Sequence, residues 1–147
     1  MGNYRKLTHV IYKCNYHIVW VPKFRFRILT GAISTLVEQD IRLICQWKEV
    51  EIEELNVQID HIHIVCSIPP KLSVSDFMGI LKGKTAIKMF KSYPNLKKKP
   101  YWGNHFWARG YFMNTVGIDE DMIKRYVKYQ EKQEKQDERN KGEFTLF

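Results

Sequence analysis

The sequence predicts an α+β domain of the split βαβ, or ferredoxin-like, arrangement: an antiparallel sheet covered by two helices, plus a C-terminal helix. Three observations predict it. Segments of period-2 hydrophobic alternation and segments of 3.6-residue periodicity follow one another in the order β-α-β-β-α-β-α. The first six of these match the split βαβ pattern. The 147 residues suit a single domain over 1–147, with no internal repeat, and their 44% hydrophobic and 27% charged content is that of a globular chain.

Residues 9–21 (HVIYKCNYHIVWV) place Tyr12, Cys14, Tyr16, Ile18 and Trp20 on one face of a long strand rich in β-branched and aromatic residues. Pro22 ends it, and the basic, aromatic run Lys23-Phe24-Arg25-Phe26-Arg27 follows as a loop. Thr30 stands as N-cap of a helix to about Trp47, with an apolar stripe of Ile33, Leu36, Val37, Ile41 and Ile44. Val50 to Ile59 and Ile62 to Ile68 read as two strands joined by a tight turn near Asp60, and Pro69-Pro70 stops the second. Ser73 or Ser75 caps the next helix. Its expected stripe is Phe77, Ile80, Leu81, Ile87 and Phe90, and its other face carries Lys82, Lys84, Lys88 and Lys91. A basic loop from Tyr93 to Pro100 leads to a fourth strand over 105–116 (HFWARGYFMNTV), which Gly117 breaks. Asp119-Glu120-Asp121 then puts acid in the first turn of a last helix, where the dipole favours it. From Glu131 onward the chain is almost wholly polar, so 131–147 is expected to be a tail that runs into solvent or frays.

Lys and Arg number 24 against 16 Asp and Glu, a formal charge of +8. Such an excess in a small domain suits a polyanion, most commonly nucleic acid. The apolar run Ile18 to Pro22 is too short to span a bilayer, and no signal peptide opens the chain. The three cysteines, Cys14, Cys45 and Cys66, are odd in number and widely spaced, which fits reduced thiols in a cytoplasmic protein. Phosphate contacts are expected from Lys23, Arg25, Arg27, Lys82, Lys84, Lys97, Lys98 and Lys99, with Phe24, Phe26, Tyr101 and Trp102 available to stack on unpaired bases.

The sharpest local feature is Asp60-His61-Ile62-His63-Ile64. Strand residues two apart point the same way, so His61 and His63 share a face and make a ready pair of metal ligands. The pair reads equally as two half-buried histidines on the polar side of a strand. The second feature lies in the last helix, whose stripe runs Met122, Ile123, Tyr126, Val127 and then meets Gln130. Tyr126 and Gln130 stack on one face, where a hydroxyl can act as nucleophile and an amide oxygen can meet a hard cation. Taken alone, Tyr126 reads more simply as a rim aromatic, and Gln130 as the point where the helix leaves the core. Tyr129 and Gln133 repeat the spacing, but Tyr129 lies about 300° round from Tyr126, toward Arg125, Lys132 and Gln136. Glycine-rich phosphate loops and the zinc deaminase pattern are missing. His9, His17 and His105 read as ordinary sheet histidines.

Together these motifs resemble the single-tyrosine transposases of the insertion-sequence 200/605 group, within the His-hydrophobic-His (HUH) nuclease superfamily. The likeness runs through Tyr16 to Arg25, Asp60 to His63, Leu81 to Lys84, Phe106 to Phe112 and Tyr126 to Gln130, in that order. It implies a transposase that cleaves and rejoins single-stranded DNA bearing hairpins through a 5′-phosphotyrosine, without ATP. It further implies Tyr126 as catalytic nucleophile and His61, His63 and Gln130 as ligands of a divalent metal, Mg or Mn. A homodimer with composite sites would follow, the tyrosine helix of one subunit completing the other's histidine pair. The alternatives are a domesticated relative that processes chromosomal repeat hairpins, and a non-catalytic ferredoxin-like nucleic-acid-binding module.

Overall fold

A computed structural model describes residues 5–7, 10–12, 15–98, 105–115 and 120–141. Strands β1 (Arg5–Leu7) and β2 (Val10–Tyr12) pair as a short antiparallel ribbon. The main sheet holds β3 (Asn15–Trp20), β4 (Glu51–Val57), β5 (Ile62–Ser67) and β6 (Phe112–Asn114) in the order β4-β5-β3-β6, every pair antiparallel. Helices α1 (Gly31–Trp47) and α2 (Val74–Ser92) make the two crossovers, and α3 (Glu120–Lys141) follows the last strand. This is the ferredoxin-like α+β arrangement that the sequence predicts. The single strand expected over 9–21 is divided between β2 and β3.

Alternation sorts the sheet into two faces. Along the β3–β5 ladder Ile18 faces Ile64 and Trp20 faces Ile62. These join Val37, Ile41 and Ile44 of α1 and Phe77, Leu81 and Met89 of α2 in one large core. The intervening residues face the other way. Val19 and Val21 there meet Ala108 and the α3 residues Ile123 and Val127 in a small second cluster, with Phe112 and Tyr126 packed against it. Cys45 and Cys66 lie in the large core as free thiols, and burial pushes the Cys45 thiol up to about 12.

Four expectations are revised or refined. Ile87 is 68% exposed, and the buried stripe of α2 takes in Met78, Thr85 and Met89 instead. Thr85 is tolerated there because its hydroxyl donates to the Leu81 carbonyl (2.7 Å) and accepts from Trp107 Nε1 (2.8 Å). Ser73 caps α2 through the Asp76 amide, whereas the Thr30 side chain makes no cap bond. The fourth strand shrinks to three residues. Phe106, Trp107 and Ala108 are buried in succession but lie outside it, joined to the end of β3 through a single bridge from Trp107 to Pro22. Lastly, of the two outcomes expected beyond Glu131, α3 runs on to Lys141 as a largely exposed helix rather than fraying, with Glu131 and Glu134 paired to Arg25 and Lys23.

Candidate active site

The site gathers on the sheet face covered by α3. His61 directly precedes β5 and His63 lies within it, their side chains on the α3 side by the parity that buries Ile62 and Ile64 opposite. His63 pairs across the ladder with Val19, and Val19 belongs to the cluster against which Tyr126 packs. Tyr129 is 54% exposed, outside that cluster. His17, read from sequence as an ordinary sheet histidine, stacks obliquely on His63 with ring centroids 5.6 Å apart. Burial lowers its pKa, so the ring beside His63 is held neutral near pH 7.

His61 is oriented by its neighbour: the Nδ1 atom lies 3.0 Å from Asp60 Oδ1. An imidazole that donates from Nδ1 to a carboxylate presents its Nε2 lone pair outward, the arrangement common to metal-binding histidines. Burial pushes the Asp60 carboxyl up, but the His61 hydrogen bond and the Arg25 charge outweigh it and hold the group below its ordinary range. Among the described residues no three His, Cys, Asp or Glu side chains converge.

Tyr126 and Gln130 form a joined pair. Gln130 Nε2 donates to Tyr126 Oη and to the Arg109 carbonyl, each at 3.0 Å, which leaves the amide oxygen for another partner. Burial raises the Tyr126 phenol to about 12, against a smaller lowering by the Gln130 bond. The backbone that anchors Gln130 is itself held by Lys82, whose Nζ donates to the Ala108 and Gly110 carbonyls at 2.8 Å each. Gly110 adopts φ +77°, a backbone conformation that glycine takes without strain. Burial lowers the Lys82 ammonium to about 8.

A tight turn over 23–25 grips α3 from below. Phe24 and Arg25 both adopt left-handed backbone (φ +55° and +53°), each at a cost on the order of 1 kcal/mol or more. In return the Lys23 ammonium, 7% exposed, lies 3.2 Å from Glu134 Oε2, and the Phe24 amide also donates to Glu134. Arg25 meets both Asp60 and Glu131 at 2.9 Å. Three of the cations expected on DNA, Lys23, Arg25 and Lys82, are therefore engaged inside the protein. Arg27, Lys84 and Lys97 are exposed, with Lys84 over the Trp47 ring (5.0 Å) and Lys97 over Phe90 (5.7 Å). The Lys98 side chain, Lys99, Tyr101 and Trp102 lie outside the described residues. A cavity of about 620 Å³ between α2 and the 105–109 segment combines Lys91, Lys97 and Arg109 with Phe90 and Trp107.

The model of the family described as "Transposase IS200 like" matches residues 10–130. The chain belongs to that family. It is 41% identical over 138 residues to the transposase for insertion sequence element IS200 of Salmonella typhimurium, covering 94% of this chain and 90% of that one. Against the ISDra2 transposase TnpA of Deinococcus radiodurans it is 32% identical over 125 residues, covering 84% and 89% respectively. A crystal structure of a candidate transposase from Deinococcus radiodurans superposes with a TM-score of 0.78 at 30% identity, covering 86% of this chain and 97% of that one. A REP-associated tyrosine transposase bound to a REP hairpin shares the fold, with a TM-score of 0.52 at 18% identity over 88% of this chain and 70% of that one. An IS200-like transposase is an enzyme that acts on DNA. Among the described residues no helix is long and apolar enough to cross a membrane.

Proposed function

We propose that this IS200-like transposase cleaves and rejoins single-stranded DNA at hairpin-bearing ends, with Tyr126 as nucleophile and His61, His63 and Gln130 as ligands of Mg or Mn. One observation carries the reading: Tyr126, its hydroxyl bonded to Gln130, packs on the same sheet face that presents the two histidines. The donor chemistry fits a divalent cation. Asp60 fixes the His61 tautomer, His63 is a neighbouring imidazole, and Gln130 keeps an amide oxygen after both its N–H bonds are made. When bound, the cation would neutralise developing charge on the scissile phosphate.

The remaining work falls to the chain. Tyr126 Oη bonds to phosphorus, the P–O3′ bond breaks, the phenol loses its proton and the departing 3′-oxygen gains one. Because the phosphodiester is exchanged rather than hydrolysed, a 3′-OH can reverse the attack and rejoin strands without ATP. Burial keeps the phenol protonated until DNA arrives, and the Gln130 bond favours the phenolate once the proton leaves. The 620 Å³ basic and aromatic cavity suits phosphate and base together.

Each site carries one tyrosine and so cuts one strand, whereas excision needs two cuts; we infer a homodimer with composite sites. In the structure α3 docks on its own sheet through Lys23–Glu134 and Arg25–Glu131. Two identical copies can exchange those contacts without net loss. Labelled single-stranded DNA with a hairpin should be cut with Mg or Mn, and EDTA should abolish cutting; undiminished cutting in EDTA defeats the metal assignment. Verified heterodimers of Tyr126→Phe with His61→Ala should regain cleavage. If they do not, each site is built within one chain.

A further inference from the structure

We propose that Arg25 is a positioning residue that couples the tyrosine helix to the His61 imidazole, rather than a DNA contact; this rests on the roles proposed above for Tyr126 and His61. Its guanidinium spans two carboxylates. Nε lies 2.9 Å from Asp60 Oδ2 and Nη1 lies 2.9 Å from Glu131 Oε1. The second Asp60 oxygen takes His61 Nδ1 at 3.0 Å, and Glu131 directly follows Gln130 on α3. A continuous relay therefore runs Glu131–Arg25–Asp60–His61, joining the helix that carries Tyr126 and Gln130 to the strand end that carries the histidines.

The surrounding geometry supports this assignment. The left-handed pair Phe24 and Arg25 directs three successive residues at two carboxylates one helical turn apart on α3, with Lys23 and the Phe24 amide on Glu134 and Arg25 on Glu131. A surface residue waiting for phosphate needs no such turn. A planar fork with separated donors can hold two carboxylates at once; a lysine ammonium is a point charge and cannot reproduce it. Asp60 thereby gives one oxygen to Arg25 and the other to His61 Nδ1, so a carboxylate held in place holds the imidazole's orientation.

Arg25→Lys and Arg25→Ala separate the two roles. In a Tyr126→Phe background, affinity for hairpin DNA and its salt dependence should match those of Tyr126→Phe alone. With Tyr126 present, single-turnover cleavage at saturating DNA should fall by about 10–100-fold, the usual effect of removing a partner that orients a ligand. Arg25→Lys should not restore the rate, and Asp60→Asn should reproduce the loss without adding to it. Nitrogen NMR of metal-free protein gives a reading independent of catalysis: His61 should be the Nδ1–H tautomer in the parent and a mixture in Arg25→Ala. A weaker, less salt-dependent DNA affinity with an unchanged saturated rate would overturn the proposal in favour of a phosphate contact. So would an unchanged His61 tautomer. A parent protein that forms no metal-dependent tyrosine adduct would instead defeat the functional reading, with the tautomer experiment still deciding the relay.

Discussion

The two faces of the sheet are built on different terms. Beneath α1 and α2, Ile18, Trp20, Ile62, Ile64, Phe77 and Leu81 bury apolar surface in one deep cluster with few polar intrusions. Over the opposite face, α3 sets its own Ile123 and Val127 on Val19, Val21 and Ala108, and is otherwise held by Lys23–Glu134, Arg25–Glu131 and the Gln130 bonds. Apolar packing is non-directional and strong; a few ion pairs are directional and conditional. One face therefore supplies stability and the other supplies arrangement. A helix with the role proposed above, presenting a nucleophile to DNA, suits the second kind of attachment.

The comparison can be broken from either side. Phe77→Ala empties a fully buried ring site in the large core and should cost about 3–5 kcal/mol, read as a global loss in denaturant unfolding. On the other face, Glu134→Ala leaves the Lys23 ammonium buried without its carboxylate and should cost about 3 kcal/mol. The loss should be local: amides of α3 should exchange faster while those of α1 and α2 keep their protection. A uniform rise in exchange would refute the division into two faces. Tyr126→Phe should cost no more than about 1 kcal/mol, since it removes one hydrogen bond and leaves the ring packed on Phe112.

Two further effects are pH-dependent and opposite in sign. The Tyr126 phenol is raised to about 12 from its ordinary 10.0, so the native state holds that proton more tightly than the unfolded chain does. Its contribution is intact below pH 10 and is lost as pH rises through 12. Lys82 is lowered to about 8 from 10.5, so its contribution is present above 10.5 and is lost as pH falls through 8. Unfolding curves across these windows should bend downward above pH 10 and lose that bend in Tyr126→Phe. Between pH 8 and 10.5 stability should rise, and Lys82→Met should flatten the rise.

The apolar face was the more legible of the two from sequence. Strand alternation and the α1 stripe depend on local spacing, and Val37, Ile41 and Ile44 are buried as that spacing requires. The parity of His61 and His63 was also local, as was the stacking of Tyr126 on Gln130. Ile87 misled because an apolar residue off the stripe is indistinguishable in type from one on it, whereas the buried Thr85 finds hydroxyl partners that only the fold supplies. The attachments of α3 were illegible for a different reason. Lys23 and Glu134 are 111 residues apart, and nothing in either neighbourhood marks them as partners. Basic residues near a functional motif read as phosphate contacts, and only the left-handed turn at Phe24 and Arg25 turns them inward. His17 joined the site by ladder register with β5, which alternation within its own strand does not set.

Tyr126, on the thinly packed face, is the residue proposed to become joined to DNA. Incubating the protein with a hairpin-bearing single-stranded oligonucleotide and Mn, denaturing the mixture, digesting it and sequencing the nucleotide-linked peptide tests this directly. The account predicts one modified peptide containing Tyr126, with the phosphate on its oxygen, and no adduct from Tyr126→Phe. An adduct on the exposed Tyr129, or one that persists in Tyr126→Phe, would contradict it.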